Sequence, residues 1–496
     1  MKGALTAVAL LALCGCASRA AAPPAPSPAP AAADPLVELR DQPFAGAQWG
    51  ILAVDLATRD TLLALEPDRR LIPGSTLKLL TTTTALDELG PDFRWETGLW
   101  ALVPGGGPAG VLGGDLVVTA SGDPTFSSTF WESATAPLDS LAATIATLGV
   151  PRVSGTLVID ASAIDSTGVR PSWMVEDLGV AAGAPGGAFV VENGETRVEV
   201  RGGAAPGDPV AVRWWPLGED GFVRSRLVTS ADSTRAVSVA WLPESRVLEL
   251  TGSVPVGQVD TLVLANRDPV RQAAAALYRA VTARGVAFDG GWRVAWSAGE
   301  PLAAGCATGA VASCPRAERL RSLTSPPLLR VVEETLEPSQ NWMAEQIART
   351  LGGRRGWALG IQDIADHIQH QRPVDPRDVR VADGSGLSVQ SLVSARALVA
   401  VLGNARAQPW GEAFRAGLAE PGEAKSTLET RLRGLEGRVF AKTGTLTNVT
   451  SLAGYLIDDG GREIAFAILV NGSNLSSTAV RAVMDRIVRS LAAGRP

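Results

Sequence analysis

Lysine is scarce in this chain of 496 residues, which has four (Lys2, Lys78, Lys425 and Lys442) against 41 arginines. Two of the four stand beside hydroxyls. Lys78 closes the run Ser75-Thr76-Leu77-Lys78, and Lys442 opens Lys442-Thr443-Gly444. A chain that uses arginine wherever a positive charge suffices, yet keeps lysine at these places, points to a property that arginine lacks. Arginine stays protonated at physiological pH, whereas a desolvated lysine can release its proton and act as a base. A serine three residues ahead of a lysine lies one helical turn away on the same face. The chemistry implied is acyl transfer: Ser75 attacks a carbonyl, and Lys78 takes its proton and later returns one to the leaving group. Ser339-Gln340-Asn341 can complete the set. Ser339 would relay a proton towards the leaving nitrogen, and Asn341 would hold the acyl side chain with its amide dipole. Lys442 would add a second positive field that depresses Lys78 and attracts an anion. Thr443 and Thr445, on either side of Gly444, offer hydroxyls to a substrate carboxylate beside a strand open to β-augmentation. Lys425 reads as a surface residue.

Other chemistries are excluded by count. His367 and His370 are the two histidines, in a segment from 361 to 371 that reads as a polar-faced helix, and both are expected to be solvated. No G-x-S-x-G elbow presents a serine to either of them, and no H-E-x-x-H run offers zinc a site. No metal and no cofactor is expected. The net charge of −6 gives no basic footprint for nucleic acid.

The N-terminus reads as a targeting segment. Lys2 supplies the positive end, and residues 4–13 are an apolar stretch of signal-peptide length. Leu13-Cys14-Gly15-Cys16 resembles a bacterial lipobox, with residues 1–15 removed and Cys16 lipidated; cleavage at Ala20-Ala21-Ala22 is the alternative. Ala17 does not resemble the aspartate that retains lipoproteins in the inner membrane. An exported, periplasmic protein tied by lipid to the outer membrane is therefore expected. Residues 16–36 are nearly all Ala, Pro and Ser, the composition of a semi-extended tether. Export implies an oxidising compartment, where Cys306 and Cys314 are expected to pair across a short Gly/Ala/Ser loop.

The elements that must position the chemistry follow from periodicity. Residues 49–56 and 61–65 read as a hairpin, and Pro73-Gly74 breaks the sheet before a helix from Ser75 to Leu89. Ser75 thus sits at a helix start, where free N–H groups favour developing negative charge. From about 96 to 300 the texture is β-rich, with strands at 116–118 and 157–160, helices at 138–148 and 268–284, and an inner, wholly β stretch within about 160–265. The first texture returns in 301–496. A helix over 326–336 is broken at Glu337-Pro338 before a second one through Leu351. A strand over 438–442 leads into Lys442-Thr443-Gly444, a hairpin turns over Asp458-Asp459-Gly460-Gly461, and an amphipathic helix spans 478–493. Residues 37–95 and 301–496 therefore form one domain, interrupted by inserted β-rich ones.

The three elements in this order, S-x-x-K, S-x-N and K-T-G, resemble those of β-lactamases and penicillin-binding proteins. With 264 positions between the two motif serines, the chain is most similar to the low-molecular-mass class C penicillin-binding proteins, D-alanyl-D-alanine carboxypeptidases and endopeptidases. Further segments match that family: 121–125 (SGDPT), 158–162 (VIDAS), 171–173 (PSW), 383–388 (DGSGLS) and 426–428 (STL). The resemblance implies an α+β fold, a transpeptidase domain of β-lactamase type interrupted by two inserted domains. It implies peptidoglycan stem peptides as substrates and β-lactams as ligands. It also implies an oxyanion hole from the backbone N–H groups of Ser75 and Thr445, with Asp160 helping to bind the amino group of the stem residue. Two positions depart from the pattern: Val389 stands where the family carries an arginine, and Ile164 where an aromatic is expected. A β-lactamase, or a penicillin-binding or peptidoglycan-binding lipoprotein that does not hydrolyse, are the alternatives. A compact lactamase would lack the long insertion.

Overall fold

The computed structural model describes Leu36, Leu39, Phe44 and residues 46–495, apart from 104–108, 166–167, 169, 216–222, 242–246 and 372–373. The expected signal peptide, the lipidation of Cys16 and the tether lie outside the described residues.

The two ends of the chain build one antiparallel sheet. Its strand order is Val439–Leu446, Val449–Ile457, Glu463–Asn471, Gln48–Asp55 and Thr61–Leu65. Successive residues of a strand face opposite sides, and both sides of this sheet are covered. Ile51, Leu452, Phe466 and Ile468 pack against Val483, Met484 and Ile487 of the terminal helix Ser477–Ala492. Leu52, Tyr455, Ala467 and Leu469 turn the other way, onto a layer that holds helices Lys78–Leu89, Asn341–Gly352, Trp357–His370 and Ala395–Arg406. This is the expected α+β transpeptidase core.

The insertion leaves and rejoins that core at one point. Trp95 N donates to Ser325 Oγ (2.9 Å), and Ser325 N donates back to Trp95 O (3.0 Å). Joined ends let a long excursion leave the core undistorted. The first inserted sheet has the order Trp292–Ala295, Leu157–Asp160, Leu116–Thr119, Glu96–Leu102 and Ala317–Thr324. Helices Ala136–Ala146 and Pro269–Thr282 pack over it. The pairing of Ala317–Thr324 with Glu96–Leu102 carries the inserted body to Thr324, beyond the expected limit at 300. Inside it, two three-stranded sheets spanning Glu195 to Ala265 share a small core of Val198, Val200, Leu248 and Leu250. The inner body therefore starts later than 160, because Ala184, Ala188 and Phe189 belong to the core of the first sheet. Cys306 and Cys314 are disulfide-bonded, with Cα atoms 5.9 Å apart, in a loop against that sheet.

His367 corrects one expectation. It is half-buried rather than freely solvated and bridges Asp87 Oδ2 (3.0 Å) and Glu88 Oε1 (2.8 Å), tying its helix to the end of the Lys78 helix.

Candidate active site

Ser75 lies in a single 3₁₀ turn, Gly74–Leu77, and the α-helix begins at Lys78 rather than at the serine. The turn still sets Lys78 one step below Ser75. It is clamped to the sheet from behind. Ser451 Oγ donates to Pro73 O (2.5 Å), and the Asn471 amide brackets Ile72, accepting from its N–H (2.7 Å) and donating to its carbonyl (3.0 Å). Gly444 is required by this closeness. A Cβ there would lie 2.2 Å from Ser451 Oγ, 2.6 Å from Pro73 O and 2.9 Å from Ser75 N. Gly74 faces back at φ +54, and a Cβ on it would lie 3.2 Å from Thr445 N. The Ser75 and Thr445 N–H groups thus sit on abutting segments.

The Lys442 strand forms the open edge of the sheet. Ala441 N donates outwards, to Ala419 O (3.0 Å). Main-chain groups alternate in direction along an antiparallel strand, so those of Thr443 and Thr445 also face away from the sheet. An extended substrate could pair there.

Lys78 is wholly buried and contacts three oxygens: Ser75 Oγ (2.9 Å), Asn341 Oδ1 (2.6 Å) and the Ser385 carbonyl (2.9 Å). Burial lowers its pKa to about 7, while the carboxylates of Asp383 and Glu345 act in the opposite direction. The expected depression by Lys442 is not what sets Lys78; desolvation is. Lys442 is equally buried, donates to Thr443 O (2.9 Å), and is held well below the usual lysine range by burial and by the charge of Lys78.

The S-x-N element divides its duties. Asn341 is the first residue of its helix, and its Nδ2 donates to Ala182 O of the inserted domain (3.2 Å). Gln340 caps that helix by accepting from Trp342 N (2.9 Å), so neither Ser339 nor Asn341 is spent on capping. Ser339 takes a left-handed backbone (φ 68) and lines a cavity of 330 Å³ with Asn341, Gln340, Glu195 and Thr129. Its hydroxyl makes no hydrogen bond to Lys78 or Lys442, so the expected relay is not closed.

Four contacts escaped sequence reasoning, although 383–388 matches as a family segment. The loop around Asp383-Gly384-Ser385 supplies the third oxygen to Lys78. Asp383 folds that loop, accepting from Gly386 N (3.0 Å), Ser388 N (2.7 Å) and Trp173 Nε1 (3.0 Å). Glu345 accepts from Gly384 N (3.0 Å), Ser385 N (2.8 Å) and Trp357 Nε1 (2.8 Å). Arg481, on the terminal helix, donates to Thr445 Oγ1 (2.9 Å) and puts a cation beside the exposed threonine.

Asp160 is not brought into this cluster. It is buried, with Oδ1 accepting from Ser162 N (3.1 Å) and Oδ2 from Gly309 N (2.6 Å), and so fastens the disulfide loop to the inserted sheet. These bonds give the aspartate a structural task and do not themselves bear on the amine-binding role the resemblance implies. Ile164 is likewise core, packed beside Gly122. Val389 is 38% exposed at the end of the Asp383 loop, while Arg170, whose charge interacts with Asp383, is buried 3.3 Å over the Trp357 ring. Lys425 is exposed, as expected.

The profile of the D-Ala-D-Ala carboxypeptidase 3 (S13) family matches residues 36–493. The chain belongs to that family. It is 32% identical over 472 residues to a D-alanyl-D-alanine carboxypeptidase of Actinomadura sp., covering 92% of this chain and 83% of the relative. It is 24% identical over 477 residues to D-alanyl-D-alanine carboxypeptidase DacB of Haemophilus influenzae, covering 90% of each. The crystal structure of penicillin-binding protein 4 from H. influenzae shares the fold, with a TM-score of 0.74 at 21% identity over 90% of this chain and 97% of that one. The protein is thus a serine-type D-Ala-D-Ala carboxypeptidase of the S13 family.

Proposed function

We propose that this carboxypeptidase releases the terminal D-alanine of peptidoglycan stem peptides through an acyl-enzyme on Ser75, and that β-lactams intercept the same serine. The observation that carries the reading is the set of oxygens around Lys78, which aims a lysine titrating near neutrality at the Ser75 hydroxyl. Ser75 Oγ bonds to the carbonyl carbon as its proton passes to Lys78 Nζ. The Ser75 and Thr445 N–H groups receive the oxyanion. The C–N bond then breaks as the leaving nitrogen takes a proton, handed from Lys78 through Ser339 once substrate fills the gap between them. Water repeats the steps to free the serine. Thr443, Thr445, Lys442 and Arg481 hold the carboxylate of the leaving D-alanine. The cavity beside Ser339 offers room for a larger leaving group and supports an endopeptidase activity on cross-linked stems.

Mass spectrometry after incubation with a labelled penicillin tests the core of this. A long-lived adduct on Ser75 is expected, and Ser75→Ala should lose both the adduct and D-alanine release while unfolding like the wild type. An adduct on another residue would refute the assignment, and rapid turnover of the adduct would favour a β-lactamase. Digestion of chemically defined muropeptides separates the two peptidase activities.

Two finer points belong to the same reading. The missing arginine at Val389, with Arg170 buried, should leave weak discrimination between stem peptides bearing a free or an amidated side-chain carboxylate. A charge-assisted hydrogen bond there would be worth roughly 1.5–3 kcal/mol, about ten- to a hundredfold. Comparing kcat/KM on the pair checks this, and a strong preference for the free acid would overturn it. Residues 1–15 would direct export, and Cys16 would carry a lipid holding the enzyme at the periplasmic face of the outer membrane. Cys16→Ser should then release it from membranes.

A further inference from the structure

The acceptors around Lys78 differ in what they can do. Asn341 Oδ1 and the Ser385 carbonyl are acceptors only, whereas Ser75 Oγ can also donate. A neutral lysine has two N–H bonds and one lone pair. If both hydrogens go to Asn341 (2.6 Å) and Ser385 (2.9 Å), the lone pair is left facing Ser75 Oγ at 2.9 Å. Both acceptors are controlled by one helix. Asn341 opens the helix Asn341–Gly352, and Glu345, one turn on and almost fully buried, grips the main-chain N–H groups of Gly384 and Ser385. The loop has no slack. A Cβ on Gly386 would lie 2.0 Å from Gly74 O, and Thr81 Oγ1 donates to Gly384 O (2.6 Å).

We propose that Glu345 is a positioning residue for acylation: by gripping the main-chain N–H groups of Gly384 and Ser385 it holds the Ser385 carbonyl in place and so orients the Lys78 lone pair towards Ser75. The proposal rests on Lys78 being the base. The groups facing Lys78 are Lys442 from the edge strand, Asn341 and Glu345 from the second motif helix, and Asp383 from the loop, with Arg170 and Arg349 beyond the carboxylates. The negative charges of Glu345 and Asp383 favour the protonated amine against burial. Removing one of them should let Lys78 lose its proton at lower pH.

The test is the second-order rate of acylation by a labelled penicillin, measured across pH on the full chain, with active sites counted by burst titration. Glu345→Gln keeps the loop's acceptor and loses the charge, so its acid limb should move to lower pH with a plateau within a fewfold of wild type. Glu345→Ala should lower the plateau about ten- to a hundredfold per active site, at unchanged initial penicillin affinity. A purely structural role would reduce the number of active sites and leave the limb in place. An unmoved limb in Glu345→Gln, with Lys78→Arg inactive, would overturn the proposal alone. Acylation by Lys78→Arg with the wild-type limb would overturn the base assignment and this proposal with it.

Discussion

The two buried lysines of the site share a residue type and a lack of solvent, yet their surroundings are opposite. Lys78 has three oxygens and, within electrostatic range, two carboxylates that oppose its desolvation. Lys442 donates to the carbonyl of its own neighbour, and the charge of Lys78 acts on it in the same direction as burial. Lys78 is therefore complete before substrate arrives. Among the described residues no carboxylate opposes the desolvation of Lys442, and in the proposed reaction the ligand's carboxylate would be its partner. In the proposed reaction, one lysine would take a proton from serine and the other would gain one when an anion binds.

Exchanging both for arginine should break this symmetry most visibly. Lys78→Arg keeps charge and removes basicity, so acylation by penicillin should fall by about 10²–10⁴, nearly as far as in Lys78→Ala. Lys442→Arg keeps an anion-attracting charge, and its loss should be nearer tenfold. Rates of adduct formation by mass spectrometry decide the matter. Comparable losses in the two variants would mean that the division of labour between the lysines is wrong.

How far the sequence foretold this contrast depends on what kind of atom does the work. Ser75, Lys78, Asn341 and Lys442 declare themselves by type and spacing; the structure sets Lys442 on the expected strand, Lys78 on the expected helix, Ser75 in a 3₁₀ turn just before it, and Asn341 at the start of the second helix rather than in the turn ahead of it. The third oxygen on Lys78 is a main-chain carbonyl, which any residue would supply, so the match of 383–388 to the family marks the segment but not this contact. Glu345 acts on that carbonyl through two amides and reads in sequence as one more polar residue of an amphipathic helix. Arg481 meets Thr445 from a helix that starts beyond the next two strands. Asp160 shows the reverse case: its short motif is real, and what the structure displays of it is a turn and a clasp on Gly309. The limit at 300 failed because the last inserted strand, Ala317–Thr324, finds its partner at Glu96–Leu102, a pairing no local pattern reveals.

Arg481 sharpens the comparison, because it offers a permanent cation where Lys442 offers a conditional one. Its bond to Thr445 Oγ1 places it beside the threonine that would receive the leaving carboxylate. Arg481→Ala should lower kcat/KM for a peptide ending in D-Ala-D-Ala roughly tenfold, the size of one hydrogen bond to a charged group. The loss should fall mainly on KM, because the acylating groups stay in place. A loss confined to kcat would place Arg481 with the chemistry instead of with carboxylate binding.

The smallest effect is the most direct reading of Lys442. Its pKa in the free enzyme lies well below the usual lysine range, and a bound carboxylate would raise it. Ligand binding should then draw in protons whenever the pH lies between the free and bound values, by the same linkage that couples any pKa shift to an equilibrium. Below the free-enzyme pKa the amine is already charged, and affinity should be independent of pH. Above it, affinity for a carboxylate ligand should weaken as pH rises, by up to tenfold per unit until the bound-state pKa is reached. Deprotonation of Lys78 relieves Lys442 of a repulsive charge, so the measured slope should be shallower than that limit. Calorimetry on Ser75→Ala with a non-reacting D-Ala-D-Ala peptide, in buffers of different ionisation enthalpy, counts the protons directly. Uptake should vanish in Lys442→Met and persist in Lys78→Met. Uptake that instead follows Lys78 would show that the lysine aimed at the serine, and not the one on the edge strand, is recharged by the substrate.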